Sequence, residues 1–225
     1  METGQKAPIG RPRGFDAEEA LERAMRVFWE QGYEGASLTD LTGAMGITRT
    51  SMYAAFGNKE ELFRKALERY TEGPASYGVR AMREPTARQV AVAFLDGSVR
   101  ATTSPGCPTG CLGVQGSLAA GDPGRSARDT LAAWRDEHTT HLGDRFRRAV
   151  DEGDLPADAD PDLLARYLMT VGNGIAVQAS GGATREVLQR VADMALLNWP
   201  PVTAPDRTAP DRTAPDRTAP HRTGG

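Results

Sequence analysis

Apolar residues recur at intervals of three and four along most of the stretch 16–198, and no run alternates apolar with polar residues. In the first of these stripes Ala20, Ala24 and Phe28 lie about one turn apart. Such spacing places apolar side chains on one face of a helix, which a soluble protein turns towards its core. The pattern therefore predicts an all-α fold made of amphipathic helices.

Capping residues divide the first seventy residues or so into four predicted helices. A polar residue that can accept hydrogen bonds from a free first turn stands before each helix. These capping residues are Asp16, Ser37, Thr48 and Asn58. An acidic residue stands three positions after Asp16, Ser37 and Asn58, which is the spacing of a capping box. Gly32 and Gly46 are expected to end the first two helices.

Five further helices are predicted after Pro74, separated by stretches rich in glycine and proline. They span about 86–102, 108–120, 125–152, 161–180 and 184–198. From Thr203 the chain repeats TAPDR three times, and proline at every fifth position excludes both helix and sheet. Residues 201–225 are therefore expected to be a disordered tail.

The second and third predicted helices have the layout of a helix-turn-helix. A helix from Ser37 to Met45 is followed by a tight turn at Gly46 and Ile47, and then by a short helix with a small, polar first turn. In this motif the second helix enters the major groove of DNA with its N-terminus first. The three-helix head is therefore a candidate DNA-binding domain.

Several side chains of the head have the chemistry to contact DNA. Arg49 can bond to guanine or to a phosphate, Thr50 can contact a base edge, and Tyr53 can donate to a phosphate. Lys59 lies in the first turn of the fourth helix, where free N–H groups also attract an anion. The basic N-terminal segment suits the DNA backbone or the minor groove. The candidate DNA contacts are Arg11, Arg13, Ser37, Thr39, Thr48, Arg49, Thr50, Ser51, Tyr53 and Lys59.

The segment from Gly32 to Leu62 resembles the DNA-binding domain of TetR-family repressors. The family pattern has a helix with T/S-x-x-D/E-[IL], a small-residue turn, a recognition helix with aromatic residues, and a phosphate-binding lysine. The matching positions are Ser37, Thr39, Leu41, Ala44, Gly46, Ser51, Tyr53, Phe56, Lys59, Glu61 and Leu62. The chain departs from the pattern at Met52, where an aromatic residue is commoner, and at Ala55, where a phosphate-contacting tyrosine or histidine often stands.

The resemblance implies a two-fold dimer that represses transcription by occupying an operator and carries a ligand pocket in its body. In the family, the helices corresponding to 161–180 and 184–198 form a four-helix dimer interface. The implied partners are palindromic double-stranded DNA, a second copy of the chain and a small effector, with no cofactor. The expected domains are a flexible basic arm at 1–14, the helix-turn-helix domain at 15–57, an effector-binding and dimerisation domain at 58–200, and the tail at 201–225.

Composition agrees with a globular regulator and excludes other classes. The hydrophobic residues make up 39% of the 225 residues and the charged residues 25%, which is enough apolar material to form a core. Because the net charge is −3, any basic surface must be local. The longest apolar stretches are too short to span a membrane, and no apolar segment follows the basic N-terminus as in a secretory signal. A cytoplasmic protein is expected.

The motif GCPTGC contains both cysteines, Cys107 and Cys111. If Pro108 is the first helical residue, Cys107 lies at the N-cap, where a helix terminus lowers the pKa of a thiol. Cys111 then lies one turn further along the same face. The pair is a candidate redox sensor; the alternative is two small apolar residues packed in a helix among glycines.

Trp134 and His138 lie one turn apart on the predicted helix 125–152 and can line an effector pocket together. Tyr167 and Asn173 on the following helix are the other candidates for that pocket, and core packing is the alternative for these side chains. His138 and His141 lie three apart, but a solvated face or a pocket wall explains this spacing better than a metal site. No metal is expected.

Two further classes of function stay open at this point. An activator or architectural DNA binder would share the head and need no effector cavity. An enzyme with the cysteine pair as its thiol centre is the second class, but the chain has no Gly-rich phosphate loop, nucleophile elbow or paired-carboxylate pattern. The chain is therefore expected not to be an enzyme.

Overall fold

The computed structural model describes residues 14–115, 124–197 and 199–200 of the chain. Within these ranges the regular structure consists of helices, which confirms the predicted all-α fold. The helices are α1 (Ala17–Gly35), α2 (Leu38–Met45), α3 (Arg49–Phe56), α4 (Lys59–Glu72), α5 (Tyr77–Ala81), α6 (Ala87–Thr102), α7 (Leu112–Gln115), α8 (Arg125–Asp151), α9 (Pro161–Ser180) and α10 (Arg185–Leu196), with a short 3-10 helix, η1 (Pro74–Ser76), before α5.

The four N-caps predicted for the first four helices are confirmed. Asp16 accepts hydrogen bonds from the N–H groups of Glu18 and Glu19, at 2.9 and 3.2 Å. Ser37 and Asn58 each form a complete capping box with the acidic residue three positions later. Each satisfied cap of this kind stabilises a helix by about 1 kcal/mol, because the free N–H groups of the first turn gain acceptors.

Two glycines set the ends of the first two helices by adopting backbone angles that other residues avoid. Gly32 has a φ of 70° and interrupts α1, so that the last turn, up to Gly35, is separated from the main helix. Gly46 has a φ of 69° and ends α2 in the left-handed conformation, which glycine adopts at little cost. The turn between α2 and α3 therefore follows directly from the sequence.

Two clusters of buried apolar residues hold the fold together. The first contains the apolar faces of α1 to α4 and also includes Cys111, Leu112 and Val114 around α7. The second joins α6, α9 and α10 to the C-terminal half of α8. Since the head shares its core with α7, movements in the body near α7 reach α1 through direct packing.

The body differs from the prediction before α7. The helix predicted at 108–120 is only α7 (Leu112–Gln115) within the described residues, and 116–120 lie outside them. Gly110 has a φ of 85°, and its N–H donates to the carbonyl of Thr102 at 2.9 Å, so the chain turns here instead of starting a helix. Cys107 is therefore not the N-cap of a helix, contrary to the prediction. Its N–H instead donates to the carbonyl of Ser104, which closes a separate turn. The short η1 and α5 were not predicted.

In the part of the chain that the structure describes, no helix is both long and apolar enough to cross a membrane. The arm at 1–14, apart from Gly14, and the tail at 201–225 lie outside the described residues, and with them Arg11 and Arg13.

Candidate nucleic-acid interface and effector cavity

The predicted helix-turn-helix is present and rests on buried side chains. Leu41 and Met45 of α2, with Met52 and Phe56 of α3, are all buried in the core that α1 closes. The N–H of Ile47 donates to the carbonyl of Thr42 at 3.1 Å, which closes the turn. The opposite faces of both helices are left at the surface, as a groove-reading motif requires.

The outward face of α3 carries an arginine, a threonine and a tyrosine that are all exposed: Arg49, Thr50 and Tyr53. Tyr53 leaves 48% of its surface exposed, although large aromatic residues are usually covered. Thr39 of α2 accepts a hydrogen bond from Nη2 of Arg49 at 3.0 Å. This bond holds the guanidinium over the exposed face of α2, so that Arg49 and Thr39 form one surface.

Two of the remaining hydroxyl residues predicted to contact DNA, Ser37 and Thr48, cap helices in this structure. The side chain of Ser37 accepts from the N–H of Asp40 at 3.1 Å. The side chain of Thr48 accepts from the N–H of Ser51 at 3.2 Å and donates to the hydroxyl of Ser51 at 3.0 Å. Ser37 and Thr48 are exposed and compatible with DNA contact, although their side chains already satisfy free N–H groups at the helix starts, whereas Ser51 is half-buried.

Lys59 lies in the first turn of α4, with its Nζ 4.5 Å from the centroid of the Tyr33 ring. Partial burial lowers the pKa of Lys59, and Glu34 offsets part of that effect. The ring of Tyr33 therefore holds the ammonium group of Lys59 near the N-terminus of α4. The free N–H groups at this N-terminus attract an anion to the same place. Sequence reasoning missed Tyr33; its only signal was an aromatic residue directly after Gly32.

A small internal cavity of about 30 Å³ lies in the body between η1, α5, α6, α8 and α9. It is lined by Ala75, Tyr77, Gly78, Phe94, Ser98, Cys111, Trp134, His138, Met169, Gly172, Asn173 and Ala176. Trp134, His138 and Asn173, three of the four residues predicted for an effector pocket, are therefore together. A cavity of this size holds about two water molecules at most.

Tyr167, the fourth predicted pocket residue, lies elsewhere. Its hydroxyl donates to the carbonyl of Ala195 at 3.1 Å, and its ring stacks on Trp199 with centroids 6.2 Å apart. It therefore ties α9 to the end of α10. Spacing along α9 could not separate Tyr167 from Asn173, because the helix contacts α10 on one side and the cavity on another.

Trp134 separates this cavity from a wider groove of about 620 Å³ on the outer side of α4 and α8. Its indole N–H donates to the hydroxyl of Thr71 on α4 at 2.8 Å. Its ring lies so close to Gly113 that a Cβ there would meet the ring at 2.3 Å. Trp134 therefore lines the cavity and contacts both α7 and α4, the helix that directly follows the head.

The two cysteines have different surroundings, and both are free thiols. Cys111 is buried, and burial raises the pKa of its thiol despite a hydrogen bond from the hydroxyl of Tyr70. Cys107 is half-buried in a turn. A raised pKa disfavours the reactive thiolate, so packing accounts for Cys111 directly, and redox sensing by the pair stays a prediction.

His138 faces both the cavity and the outer groove, and burial lowers its pKa below the ordinary value of 6.5. The carbonyl of Trp134 and the nearby Glu137 act in the opposite direction, while His141 adds to the lowering. The folded state therefore favours the neutral form of this imidazole. Among the described residues, no group of three potential metal ligands surrounds the histidines.

The lowered pKa of His138 predicts a pH effect on stability. The unfolded chain binds a proton at the ordinary value of about 6.5 while the folded chain still resists it. His138 therefore leaves the free energy of unfolding unaffected above about pH 6.5. As the pH falls below this value towards the lower, folded-state pKa, the free energy of unfolding decreases. Between pH 7 and pH 5, chemical denaturation should show a larger fall in the free energy of unfolding for the wild type than for His138→Gln. Equal falls in the two proteins would refute the prediction.

An exposed α3 reached by a tight turn from α2, with a lysine at the next helix start, defines a DNA-binding protein of the helix-turn-helix class. The chain belongs to the TetR family of transcriptional regulators. Residues 20–66 match the family described as bacterial regulatory proteins, tetR family, and residues 87–195 match the tetracyclin repressor-like, C-terminal domain. This confirms the resemblance seen in the sequence and places the chain among regulators, not enzymes.

Named relatives agree with this assignment. The HTH-type transcriptional repressor ComR of Escherichia coli (strain K12) is 31% identical over 197 residues, which are 87% of this chain and 94% of ComR. A structure of a cysteine mutant of the TetR family regulator CifR, complexed with 26-base-pair double-strand operator DNA, is 44% identical with a TM-score of 0.81. It covers 84% of this chain and 100% of that one. The chain is thus a DNA-binding transcriptional regulator.

Proposed function

We propose that this regulator is a homodimeric repressor that binds a palindromic operator and leaves it when a small effector binds in the body. The observation that carries the proposal is the exposed surface of Arg49, Thr50 and Tyr53 on α3, next to Thr39 of α2. Base edges and phosphates are the partners that match these groups. The operator-bound structure of the relative CifR supports this reading.

The dimer is proposed to form through α9 and α10. Large apolar side chains stay exposed in the single chain on α9, on α10 and directly after α10: Leu163, Val177, Val187, Val191, Met194 and Leu197. They recur at helical spacing, so they make stripes, and a contiguous apolar stripe of this kind is typical of a protein interface. A two-fold dimer through these faces would present two copies of α3 to successive major grooves.

The effector is proposed to bind where Trp134 now divides the internal cavity from the outer groove. Neither the cavity of about 30 Å³ nor an open groove alone encloses a small molecule, whereas ligand pockets usually measure roughly 300–1,000 Å³. If Trp134 moves, the two spaces join and the bond to Thr71 breaks. Because Thr71 is on α4, the same movement changes the support of the helix that follows the recognition helix.

The other parts of the predicted organisation belong to the same proposal. The arm at 1–14, with Arg11 and Arg13, would contact the DNA backbone or the minor groove. The domain limits at 57/58 and 200/201 separate a DNA-reading head, an effector-binding and dimerising body, and a tail. Direct sensing of oxidation by Cys107 and Cys111 is an alternative that the first experiment addresses, and activation without an effector is a second alternative.

The first experiment measures binding of the purified full chain to the DNA upstream of its own gene, in reducing and in oxidising buffer. A repressor should bind a palindrome there tightly and with strong salt dependence, and a scrambled sequence much more weakly. Binding that disappears on oxidation would transfer the sensing role to the cysteines. Equal affinity for the palindrome and the scrambled DNA would overturn the proposed function.

Replacing Trp134 with alanine should weaken both stability and operator binding. Removal of the ring leaves a void next to Gly113 and costs about 3 kcal/mol of unfolding free energy, and α4 loses its bond to Trp134. Trp134→Phe keeps most of the ring and should lose only about 1 kcal/mol for the hydrogen bond. Thermal unfolding and operator titrations measure both effects.

His141→Ala is the matched control for Trp134, because His141 is exposed on the same helix and lines the same outer groove. It should leave stability and operator affinity close to wild type. A Trp134→Ala protein as stable as His141→Ala would show that Trp134 does not fill the space between the cavity and the groove.

A further inference from the structure

A third cavity, of about 250 Å³, lies where the head meets the body. It is bordered by α1, η1, α5, α6 and the turn that follows α6. Its lining residues are Trp29, Pro74, Tyr77, Arg80, Gly97, Arg100, Ala101, Ser104 and Cys107. The effector proposed above would occupy a different space, because the Tyr77 side chain, packed on Gly97, stands between this cavity and the internal one.

The charged groups of this cavity are all positive. Arg80 and Arg100 line it, and no aspartate or glutamate is among its lining residues. Nη1 of Arg80 donates to the hydroxyl of Ser76 at 2.6 Å, which leaves its other N–H groups available. Within the described ranges, neither guanidinium is paired with a carboxylate. Both arginines are exposed at the mouth of the cavity, and two cations without a counter-charge beside one concave space favour an anionic guest.

Trp29 forms the wall of the cavity on the side of the head. The side chain is 1% exposed, and its indole Nε1 is buried behind the surface of the cavity, with no hydrogen-bond partner in the described structure. The polar groups that can reach a guest are therefore the two guanidinium groups, which can only donate hydrogen bonds.

The other walls are apolar and aromatic. Pro74, Ala101 and the ring of Tyr77 offer a surface for a small hydrocarbon or aromatic group, beside the polar end of the cavity. The volume is close to the lower limit for small-molecule sites, which excludes large ligands. The shape and the polarity therefore agree on a compact molecule with one anionic end.

We propose that the cavity between α1, α5 and α6 binds a small organic anion, a carboxylate or a phosphate monoester, through Arg80 and Arg100, with its apolar part against Pro74, Ala101 and the ring of Tyr77. Such an anion touches α1 of the head directly through Trp29. The neighbouring turn is also bound to α1, because Nη1 of Arg26 donates to the carbonyl of Gly106 at 2.7 Å. The site is therefore a second input next to the helix that supports the recognition motif.

Calorimetric titration of the full chain with phenyl phosphate, benzoate and the neutral benzamide tests the proposal without DNA. One or both anions should bind with one site per chain, and benzamide should bind at least about tenfold more weakly, since it lacks the charge that the arginines pair with. Arg100→Gln and Arg80→Gln should each weaken anion binding by about tenfold or more. Arg83→Gln, an exposed arginine outside the cavity, is the control and should change affinity less than twofold.

Alkylation of Cys107 shows independently where the anion binds, because Cys107 lines the same cavity. The anion should slow alkylation of Cys107 by iodoacetamide, with the modified cysteine identified by fragment mass spectrometry. Binding of only one anion with this pattern supports the proposal and shows which acid group is preferred. Absence of anion binding, equal binding of benzamide, or equal losses in Arg100→Gln and Arg83→Gln would overturn it. Operator titrations judge the proposed repressor function separately.

Discussion

Replacing Met194 with glutamate should convert the dimer into monomers and weaken operator binding by about 100-fold or more. Met194 is 71% exposed on α10, in line with Val187 and Val191. In a two-fold interface every substitution is present twice, so Met194→Glu buries two carboxylates against the apolar side chains of the opposite subunit. The penalty for burying unpaired carboxylates is several kcal/mol, and about 2.7 kcal/mol already corresponds to a 100-fold change.

Val79→Glu is the matched control for this substitution. Val79 is also a large exposed apolar residue, but it lies on α5 beside the outer groove, away from α9 and α10. It should remain dimeric. Light scattering coupled to size exclusion gives the mass of each variant, and operator titration gives the affinity. A Met194→Glu protein that keeps the mass of a dimer would place the interface elsewhere.

Arg49→Ala and Lys59→Ala should both weaken DNA binding, but in different ways. Arg49 is expected to read a base edge, so its loss should cost about 1–3 kcal/mol on the operator and reduce the preference for operator over random DNA. Lys59 is expected to contact a phosphate. Its loss should weaken binding to both DNAs alike and lower the salt slope by about one.

Titrations of each variant with operator and random DNA, at several salt concentrations, separate these two effects. Arg64→Ala serves as a control, because Arg64 is an exposed arginine on α4 that lines the outer groove. Equal losses on operator and random DNA for Arg49→Ala would assign that residue to the phosphate backbone. A selective loss on the operator for Lys59→Ala would contradict its proposed role.

The head could be predicted from the sequence because its elements are set by local chemistry. Ser37 and Asn58 cap their helices through residues only three positions away, and Gly46 ends α2 by its own backbone freedom. Such signals need no knowledge of the tertiary structure. The aromatic support of Lys59 by Tyr33 was not predictable, because the two residues are 26 positions apart.

The body was less predictable because its contacts are made between distant residues. A helix was predicted at about 108–120, but Gly110 takes a positive φ and its N–H donates to the carbonyl of Thr102 instead. Tyr167 and Asn173 of α9 were both predicted to line the effector pocket. In the structure Tyr167 contacts the end of α10, whereas Asn173 lines the cavity. A helical stripe reports that a face is buried and does not report what covers it.

The extent of the cavities could not be predicted from the sequence, although Trp134, His138 and Asn173 were predicted to line a pocket. The wall formed by Trp134 depends on Gly113 and on Thr71, which belong to two other helices. The cavity at the junction of head and body is lined by both Trp29 and Arg100, which are 71 positions apart in the sequence. The sequence shows the chemistry of each side chain. Which side chains lie around one cavity is determined by the tertiary structure.

The central claim, a dimer that reads a palindromic operator, is tested most directly by hydroxyl-radical footprinting of the upstream DNA with the full chain. The account predicts two protected half-sites about one helical turn (about 34 Å) or slightly more apart, with two chains bound per palindrome. A single protected half-site with one chain bound, or protection that does not depend on sequence, would contradict it.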